Sequence, residues 1–520
     1  MGLPRLNFTK KTMFQTVVIV GSGLGGLLCG AILSLEGYRV TVLERNKQFG
    51  GNLQSFARDK HLFDSGVHYI GGLDKGQNLH RIFQYLGILD KLRVEKLDER
   101  AFDKIVLADD EREFRYAQGY DNFIEGLVAD FPGERPAIEA YCAEIRRICA
   151  EFPLYELREQ LPGPPANTEA LTRDTRQFIA SLTADVKLQN VLAGSNPLYA
   201  GLPDKTPLYV HALVLNSYIQ SAYRIVDGGG QLAKFLAAII RRHGGQLHNR
   251  VDVRRFVTEG QAVRYVEDAA GTQYPADVFI SNVHPAQTYA MLETDLVRPV
   301  FRRRILSLEN SLSAFVLNVT LKPGTFPYER SNYYCYLTDD VWTSMDYTED
   351  TWPLSYSLFF SGTSHARHPD YAEGISILAY MRLADVAPWQ GTYNTAGEPA
   401  DRGADYEAFK QRKTEALLEK VYLRFPTLRD AVKSTYAATP LTFRDYMGTS
   451  DGALYGIAKD YADPLRTFIS HRTKLPNLLL TGQNVNMHGV LGVAISALVT
   501  CSELVGLPYL LQKIEDAQAA

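Results

Sequence analysis

Residues Thr16 to Glu44 read TVVIVGSGLGGLLCGAILSLEGYRVTVLE, and this stretch has the parts that hold a dinucleotide. The β-branched run Thr16-Val17-Val18-Ile19-Val20 predicts a buried parallel strand. Gly21-Ser22-Gly23-Leu24-Gly25-Gly26 follows at once and fits G-x-G-x-x-G opening a helix. Gly21 permits the tight turn, Gly23 lets the backbone approach a pyrophosphate, and Gly26 lets helix and strand pack closely. The N-terminal N–H groups of the helix then face the phosphates. The helix runs through Leu27, Leu28, Ala31, Ile32 and Leu35 and stops at Gly37. A second strand, Arg39 to Leu43, ends in Glu44, whose carboxylate can accept the hydrogen bonds of a ribose diol.

Past Glu44 the chain reads Arg45-Asn46-Lys47-Gln48-Phe49-Gly50-Gly51-Asn52-Leu53. This second glycine pair resembles the double-glycine extension of the FAD-binding amine oxidase and phytoene desaturase superfamily. Near the other end, Leu478-Leu479-Leu480-Thr481 is a short apolar strand, Gly482-Gln483-Asn484 a turn, and Gly489-Val490-Leu491-Gly492 the opening of a second apolar helix. The superfamily places such a segment against the ribityl chain and flavin ring, with the helix N-terminus stabilising negative charge there. Many relatives carry Asp after this glycine; here it is Gln483. The Gly-Gln-Asn variant, with Phe63-Asp64-Ser65-Gly66-Val67-His68-Tyr69, looks most like the retinol saturase and carotenoid isomerase branch of the phytoene desaturase family. A fourth match runs from Asp227-Gly228-Gly229-Gly230-Gln231 through a helix to about Arg242, then Val251-Asp252-Val253, a hairpin through Asp268 to Gly271, and Ala276-Asp277-Val278-Phe279-Ile280-Ser281-Asn282.

The resemblance implies FAD as cofactor. It assigns the binding residues to Gly21, Ser22, Gly23, Leu24, Gly25, Gly26, Glu44, Arg45, Asn46, Gly51, Asn52, Leu53, Val253, Asn282, Gly482, Gln483, Val490, Leu491 and Gly492, with the Val253 backbone facing adenine. No second G-x-G-x-x-G is present for a nicotinamide, so the electron donor or acceptor is left open.

The predicted fold class is α/β: a Rossmann-like FAD-binding domain of the glutathione reductase type with an inserted mixed α+β substrate or cap domain. The nucleotide domain comprises 14–64, 225–290 and 470–510, and the cap 65–224 and 291–469. Residues 1–13 read as a disordered lead, with translation starting at Met1 or Met13. Pro162, Pro164 and Pro165 mark a surface loop. Within the cap, helical spacing runs over Leu79 to Leu86, Ile138 to Ile148 and Tyr406 to Leu423, and strand-like alternation over Leu312 to Leu321 and Tyr333 to Leu337.

At 520 residues and 46% hydrophobic, the chain can build two cores. A net charge of −4, with scattered Lys and Arg, gives no basic stripe for nucleic acid. The five cysteines form no C-x-x-C pair, which fits a reducing, cytoplasmic setting and argues against a metal site. The longest apolar stretch, Val490 to Leu511, holds Glu503 and a Gly506-Leu507-Pro508 break, as a buried helix would rather than a membrane span.

Ten aromatics from Tyr328 to Phe360 suit the lining of an apolar tunnel or an ordinary core. Catalysis rests with the flavin, because hydride exchange needs no acid–base pair from the protein. His68 and His488 are the candidate catalytic side chains, each in a motif expected beside the ring; Tyr69 is a weaker one, and Asp64 is expected to tie its turn together. The favoured reading is an FAD-dependent oxidoreductase acting on a carbon–carbon double bond of a hydrophobic polyene by saturation, desaturation or isomerisation. The substrate is lipophilic, with peripheral contact to the inner face of a membrane. The alternatives are a flavin amine oxidase and a non-catalytic prenyl-protein-binding relative of the same fold.

Overall fold

The computed structural model describes residues 15–108, 110–159, 169–366 and 368–519. The lead over 1–13, Met13 and the loop prolines Pro162, Pro164 and Pro165 lie outside the described residues.

Thr16–Val20 is the central strand of a five-stranded sheet, flanked by Arg39–Glu44 and then Gln246–Asn249 on one side and by Val278–Ser281 and then Leu478–Leu480 on the other. All four pairings are parallel. In chain order the strands lie 3-2-1-4-5, the arrangement of a doubly wound nucleotide-binding sheet. Pieces 200 or more residues apart in the chain are therefore neighbours: Thr481 N donates to Ser281 O at 3.0 Å, and Asn282 N to Val20 O at 2.9 Å. Residues 17–20, 278–281 and 478–480 are buried throughout, because both faces of the sheet are covered.

The two faces are covered differently. Val17 and Ile19 point into a core shared with the helices Leu24–Leu35, Gly230–Arg242 and Gly489–Val505. Val18 and Val20 point into a core shared with an antiparallel sheet of Val253–Glu259, Ala262–Asp268 and Gln273–Pro275. The sequence suggested only a hairpin here. The third strand is short and polar, and it escapes a reading based on apolar alternation. Gln246–Asn249 escapes for the same reason: it is an edge strand with three of its four residues exposed.

The cap is built around a seven-stranded sheet in the order Val432–Ala438, Ala314–Leu321, Gly374–Tyr380, Ser355–Phe360, Asn332–Tyr336, Asp103–Val106, Phe114–Tyr116. Both inserted stretches contribute, joined where Asn332–Tyr336 pairs in parallel with Asp103–Val106. The alternation over 312–321 predicted one wet face. Instead every residue of Ala314–Leu321 is buried, and its polar side chains are satisfied internally. Ser376 Oγ donates to Asn318 Oδ1 at 2.8 Å, and Thr320 Oγ1 donates to Asp59 Oδ2 at 3.0 Å. Helices Asn78–Tyr85, Arg135–Ala150 and Leu208–Gln220 complete the cap on the side of the nucleotide domain's core, and Ala404–Arg424 packs on the other side.

All five cysteines are buried and free. Among the described residues no single helix is long and apolar enough to cross a membrane. Gly489–Val505 and Leu507–Ala519 meet at a bend of 118°, where Gly506 takes φ +89° and Pro508 follows.

Candidate cofactor and substrate site

The first βα turn is packed backbone on backbone. Gly21 sits at φ +93°, a conformation that favours glycine. A Cβ at Gly26 would stand 2.1 Å from the Gly21 carbonyl oxygen, and one at Gly25 would stand 2.9 Å from Gly482 Cα. The Asn282 amide sits between the two halves, where a Cβ at Gly23, Gly25 or Gly482 would meet it at 2.8, 2.6 and 2.6 Å. The helix Leu24–Leu35 begins at Gly23 with no side-chain cap. The first amides of a helix have no intrahelical acceptor, so this N-terminus offers its N–H groups to a phosphate.

Glu44 closes the other side of the turn. It is 7% exposed, and Ser22 donates to its Oε2 through N (3.0 Å) and Oγ (2.5 Å), while Asn46 N donates to Oε1 (2.7 Å). Val251 N donates to Glu44 O and Arg250 N to Asn46 O, which brings the segment leading to Val253 alongside Glu44. Arg45 and Asn46 reach outward: Arg45 Nη2 donates to Asp445 O and Asn46 Nδ2 to Tyr446 O, both at 2.9 Å, so they tether the cap's 440–447 helix. Gly51, Asn52 and Leu53 form a single helical turn running beside Gly23.

Asp64 ties two segments together, as its motif suggested. Its Oδ1 accepts from Ser55 Oγ (2.9 Å) and from Gly229 N (2.7 Å), at the start of helix Gly230–Arg242. Burial pushes this carboxyl up to about 7. The following residues lead to a polar cluster under the cap. Tyr69 OH donates to Asp103 Oδ2 and shares a hydrogen bond with Tyr334 OH, both at 2.7 Å. Asn332 Nδ2 donates to Asp103 Oδ1 at 2.9 Å and links the cluster to Arg224, itself 1% exposed. Asp103 is held near 7 chiefly by burial.

His68 stacks on Phe359, with ring centroids 4.4 Å apart and planes within 1°. Burial first, then the Arg224 charge, pushes it down to about 4. His488 caps the second helix by position only, without a side-chain cap bond. Its Nε2 lies 3.2 Å from Leu198 O and its ring 4.9 Å from that of Tyr455, and burial holds it at about 4 as well. Both histidines are therefore neutral imidazoles at pH 7, able to donate an N–H hydrogen bond but not to act as ready imidazolium acids.

His488 and Met487 line two small cavities, of about 30 Å³ and 50 Å³. One is apolar, with Ile70, Leu79, Leu198, Leu213, Val214 and the first turn of the second helix, including Val490, Leu491 and Gly492, in its wall. The other holds Gln483 and is more polar. The aromatic-rich stretch does not supply these walls. Of the ten aromatics from Tyr328 to Phe360, none lines either cavity, and nine are buried in the cores around the seven-stranded sheet. Tyr155, Tyr199, Tyr218 and Tyr455 do the lining instead. Three of these come from the first inserted stretch, where no motif marks them. Arg224 carried one overlooked signal, a charge inside the short apolar strand Ala222–Ile225.

Fold and site together define a dinucleotide-binding oxidoreductase of the Rossmann-like class, with a cap domain closing over the carboxyl ends of the strands. The family model for an NAD(P)-binding Rossmann-like domain matches residues 19–86. The chain is 28% identical over 526 residues to all-trans-retinol 13,14-reductase of Rattus norvegicus, covering 94% of this chain and 85% of that one. It is 24% identical over 535 residues to prolycopene isomerase 1 of an Oncidium hybrid cultivar, covering 95% and 84%. A solved putrescine oxidase variant superposes with a TM-score of 0.64 at 13% identity, covering 94% of this chain and 98% of that one. Over nearly its whole length the chain is thus similar to retinol reductases and prolycopene isomerases.

Proposed function

We propose that this protein is an FAD-dependent oxidoreductase acting on a carbon–carbon double bond of a hydrophobic, carotenoid- or retinoid-like polyene. The observation that carries the reading is the apolar cavity, whose wall includes the uncapped first turn of helix Gly489–Val505. A hydrocarbon there lies against the helix end that the family motif assigns to the flavin ring.

The residues fit FAD. The close-packed glycines leave no room for side chains where a pyrophosphate runs, two helices present uncapped N-termini, and Glu44 is buried and oriented by Ser22. Gly21 to Gly26 would hold the pyrophosphate, Glu44 the ribose, and Gln483 with Val490 to Gly492 the far end of the cofactor. When bound, FAD supplies hydride exchange at N5. The protein excludes water from the apolar cavity and orients the double bond, and His488, in the wall of both cavities, offers a neutral N–H donor, while His68 is stacked on Phe359. The purified protein is expected to be yellow and to release FAD on denaturation. His488→Ala and His68→Ala should keep the colour and slow turnover of a polyene by about 10²-fold. A colourless protein that FAD does not reconstitute would refute the enzyme reading, and unchanged rates would return the histidines to packing roles.

The proposal extends to a cytoplasmic protein that takes its substrate from a membrane face. Helix Pro299–Leu306 and the short helix Pro464–Thr467 bring Val300 (69% exposed), Leu306, Leu465 and Phe468 to one surface, among Arg303, Arg304 and Arg466. Arg304 Nη1 donates to Leu465 O at 3.2 Å and to Arg466 O at 2.7 Å, which locks the two helices together. Exposed apolar side chains set among arginines suit the interface of an anionic bilayer. Co-sedimentation with phosphatidylserine vesicles is expected to exceed that with neutral vesicles, and Leu465→Ser with Phe468→Ser should reduce it about tenfold; equal recovery with and without the substitutions would remove this surface from the account.

A further inference from the structure

The more polar of the two cavities carries two lysines, Lys205 and Lys459, with Thr206, Ser311, Gln483 and His488, and its lining has no Asp or Glu. Lys205 is already neutralised by an ion pair with Glu309. Lys459 is not. Its ammonium makes one hydrogen bond among the described residues, to Thr467 O at 3.3 Å, and no ion pair. Burial pushes it down to about 8. Lys459 is only half-buried as a residue, but a cation partly withdrawn from water without a counter-ion still carries a desolvation cost, which an entering anion offsets.

The neighbouring hydroxyls point to the same kind of ligand. Thr206 Oγ1 accepts from Leu202 N at 2.7 Å, and Ser311 Oγ accepts from Tyr455 N at 2.9 Å. Neither hydroxyl donates to a protein acceptor among the described residues, so each keeps its proton for a ligand. One ammonium and two hydroxyl donors, with no carboxylate among them, match the donor set that a carboxylate needs. His488 and Met487 belong to the walls of both cavities. A chain whose hydrocarbon fills the apolar side can therefore carry its end group past the His488 ring toward Lys459.

We propose that the substrate is an unsaturated amphiphile ending in a carboxylate, that Lys459 pairs with that carboxylate, and that Ser311 and Thr206 donate to it. This rests on the polyene reading above and narrows it from a neutral hydrocarbon to an acid. The site selects the end of the molecule that lies away from the reacting bond, so its energy goes into binding and orientation.

The test compares all-trans-retinoate with all-trans-retinol as probes of the flavin-loaded wild type, with dissociation constants read from the change in the protein's absorbance. The acid is expected to bind at least about 10-fold more tightly than the alcohol. Its affinity should hold steady between about pH 6 and 8, where the carboxylate is ionised, and fall above pH 8 as the free ammonium loses its proton, while the alcohol shows no such fall. Lys459→Met, which replaces the ammonium by an apolar group of similar length, should abolish the preference, and Lys459→Arg should keep it. Ser311→Ala tests the same site without touching the charge and should weaken acid binding alone. Equal binding of acid and alcohol by the wild type would overturn the carboxylate site and leave the polyene reading standing. Failure of both probes to bind, with FAD present, would overturn both. A shifted flavin potential in Lys459→Met with the acid preference intact would assign the charge to the cofactor and overturn the proposal.

Discussion

Gly26→Ala is expected to yield protein that is both colourless and destabilised, whereas Gly23→Leu is expected to yield protein that is colourless but folded. The two glycines lie three residues apart and meet different neighbours. A Cβ at Gly26 would stand 2.1 Å from the Gly21 carbonyl oxygen and 3.3 Å from its carbon. Backbone cannot swing aside, so the helix must shift off the strand, and overpacking of this kind costs about 1–3 kcal/mol or more. At Gly23 the nearest atom is Asn282 Nδ2 at 2.8 Å, the far end of a side chain that can rotate away. The added leucine then occupies the pyrophosphate's path while the sheet stays intact. Flavin absorbance and thermal unfolding, measured on the same samples, separate the cases. Gly23→Leu protein that stays yellow would show that the dinucleotide does not cross this turn.

Arg224→Met is expected to lower stability by about 3–5 kcal/mol, because it removes one partner from a buried charged network. The guanidinium donates to Tyr328 OH (2.7 Å), Glu329 O (3.0 Å), Ser331 O (3.3 Å) and Asn332 Oδ1 (3.3 Å), with Glu95 Oε2 at 3.9 Å. Its removal leaves Ser331 O and Asn332 Oδ1 buried without that donor, and Glu95 without its nearest buried cation. Arg224→Lys should recover little, since one ammonium cannot serve a fork of acceptors spread over residues 328 to 332. The loss would also reach the site. The Arg224 charge helps to hold His68 at about 4, so the variant's imidazole should titrate at a higher pH. Urea unfolding reads the first effect and histidine proton resonances the second. A loss below about 1 kcal/mol would mean that the network is not a structural anchor.

The parts of this molecule legible in its sequence are those whose function requires particular residue types at fixed spacing. A turn that lets backbone approach phosphate must use glycine at Gly21, Gly23 and Gly26, and a ribose needs an acid such as Glu44 at the end of the second strand. The nucleotide domain could therefore be read from three separated segments, and the structure sets those strands side by side in one sheet. Strand Gln246–Asn249 was invisible because an edge strand pairs on one side only and needs no apolar run. In sequence the aromatic stretch suits a tunnel as well as a core, because Tyr and Phe serve both, and only the sheet order shows that both faces are covered. Lys459 looks like any surface lysine in sequence. Its burial depends on Tyr199 to Val210 meeting Ser311 and Tyr455 in space, contacts between residues more than 100 positions apart.

The central claim is that a polyene double bond, rather than an amine, exchanges electrons with the cofactor of this protein. Anaerobic photoreduction of the purified, flavin-loaded protein, followed by addition of a retinoid or carotenoid, tests it most directly. The account predicts that the polyene is converted, either with stoichiometric return of the oxidised absorbance, as in saturation, or with isomer formed while the protein stays reduced. If the polyene is left unchanged, and a small water-soluble amine bleaches the oxidised protein instead, the account is contradicted.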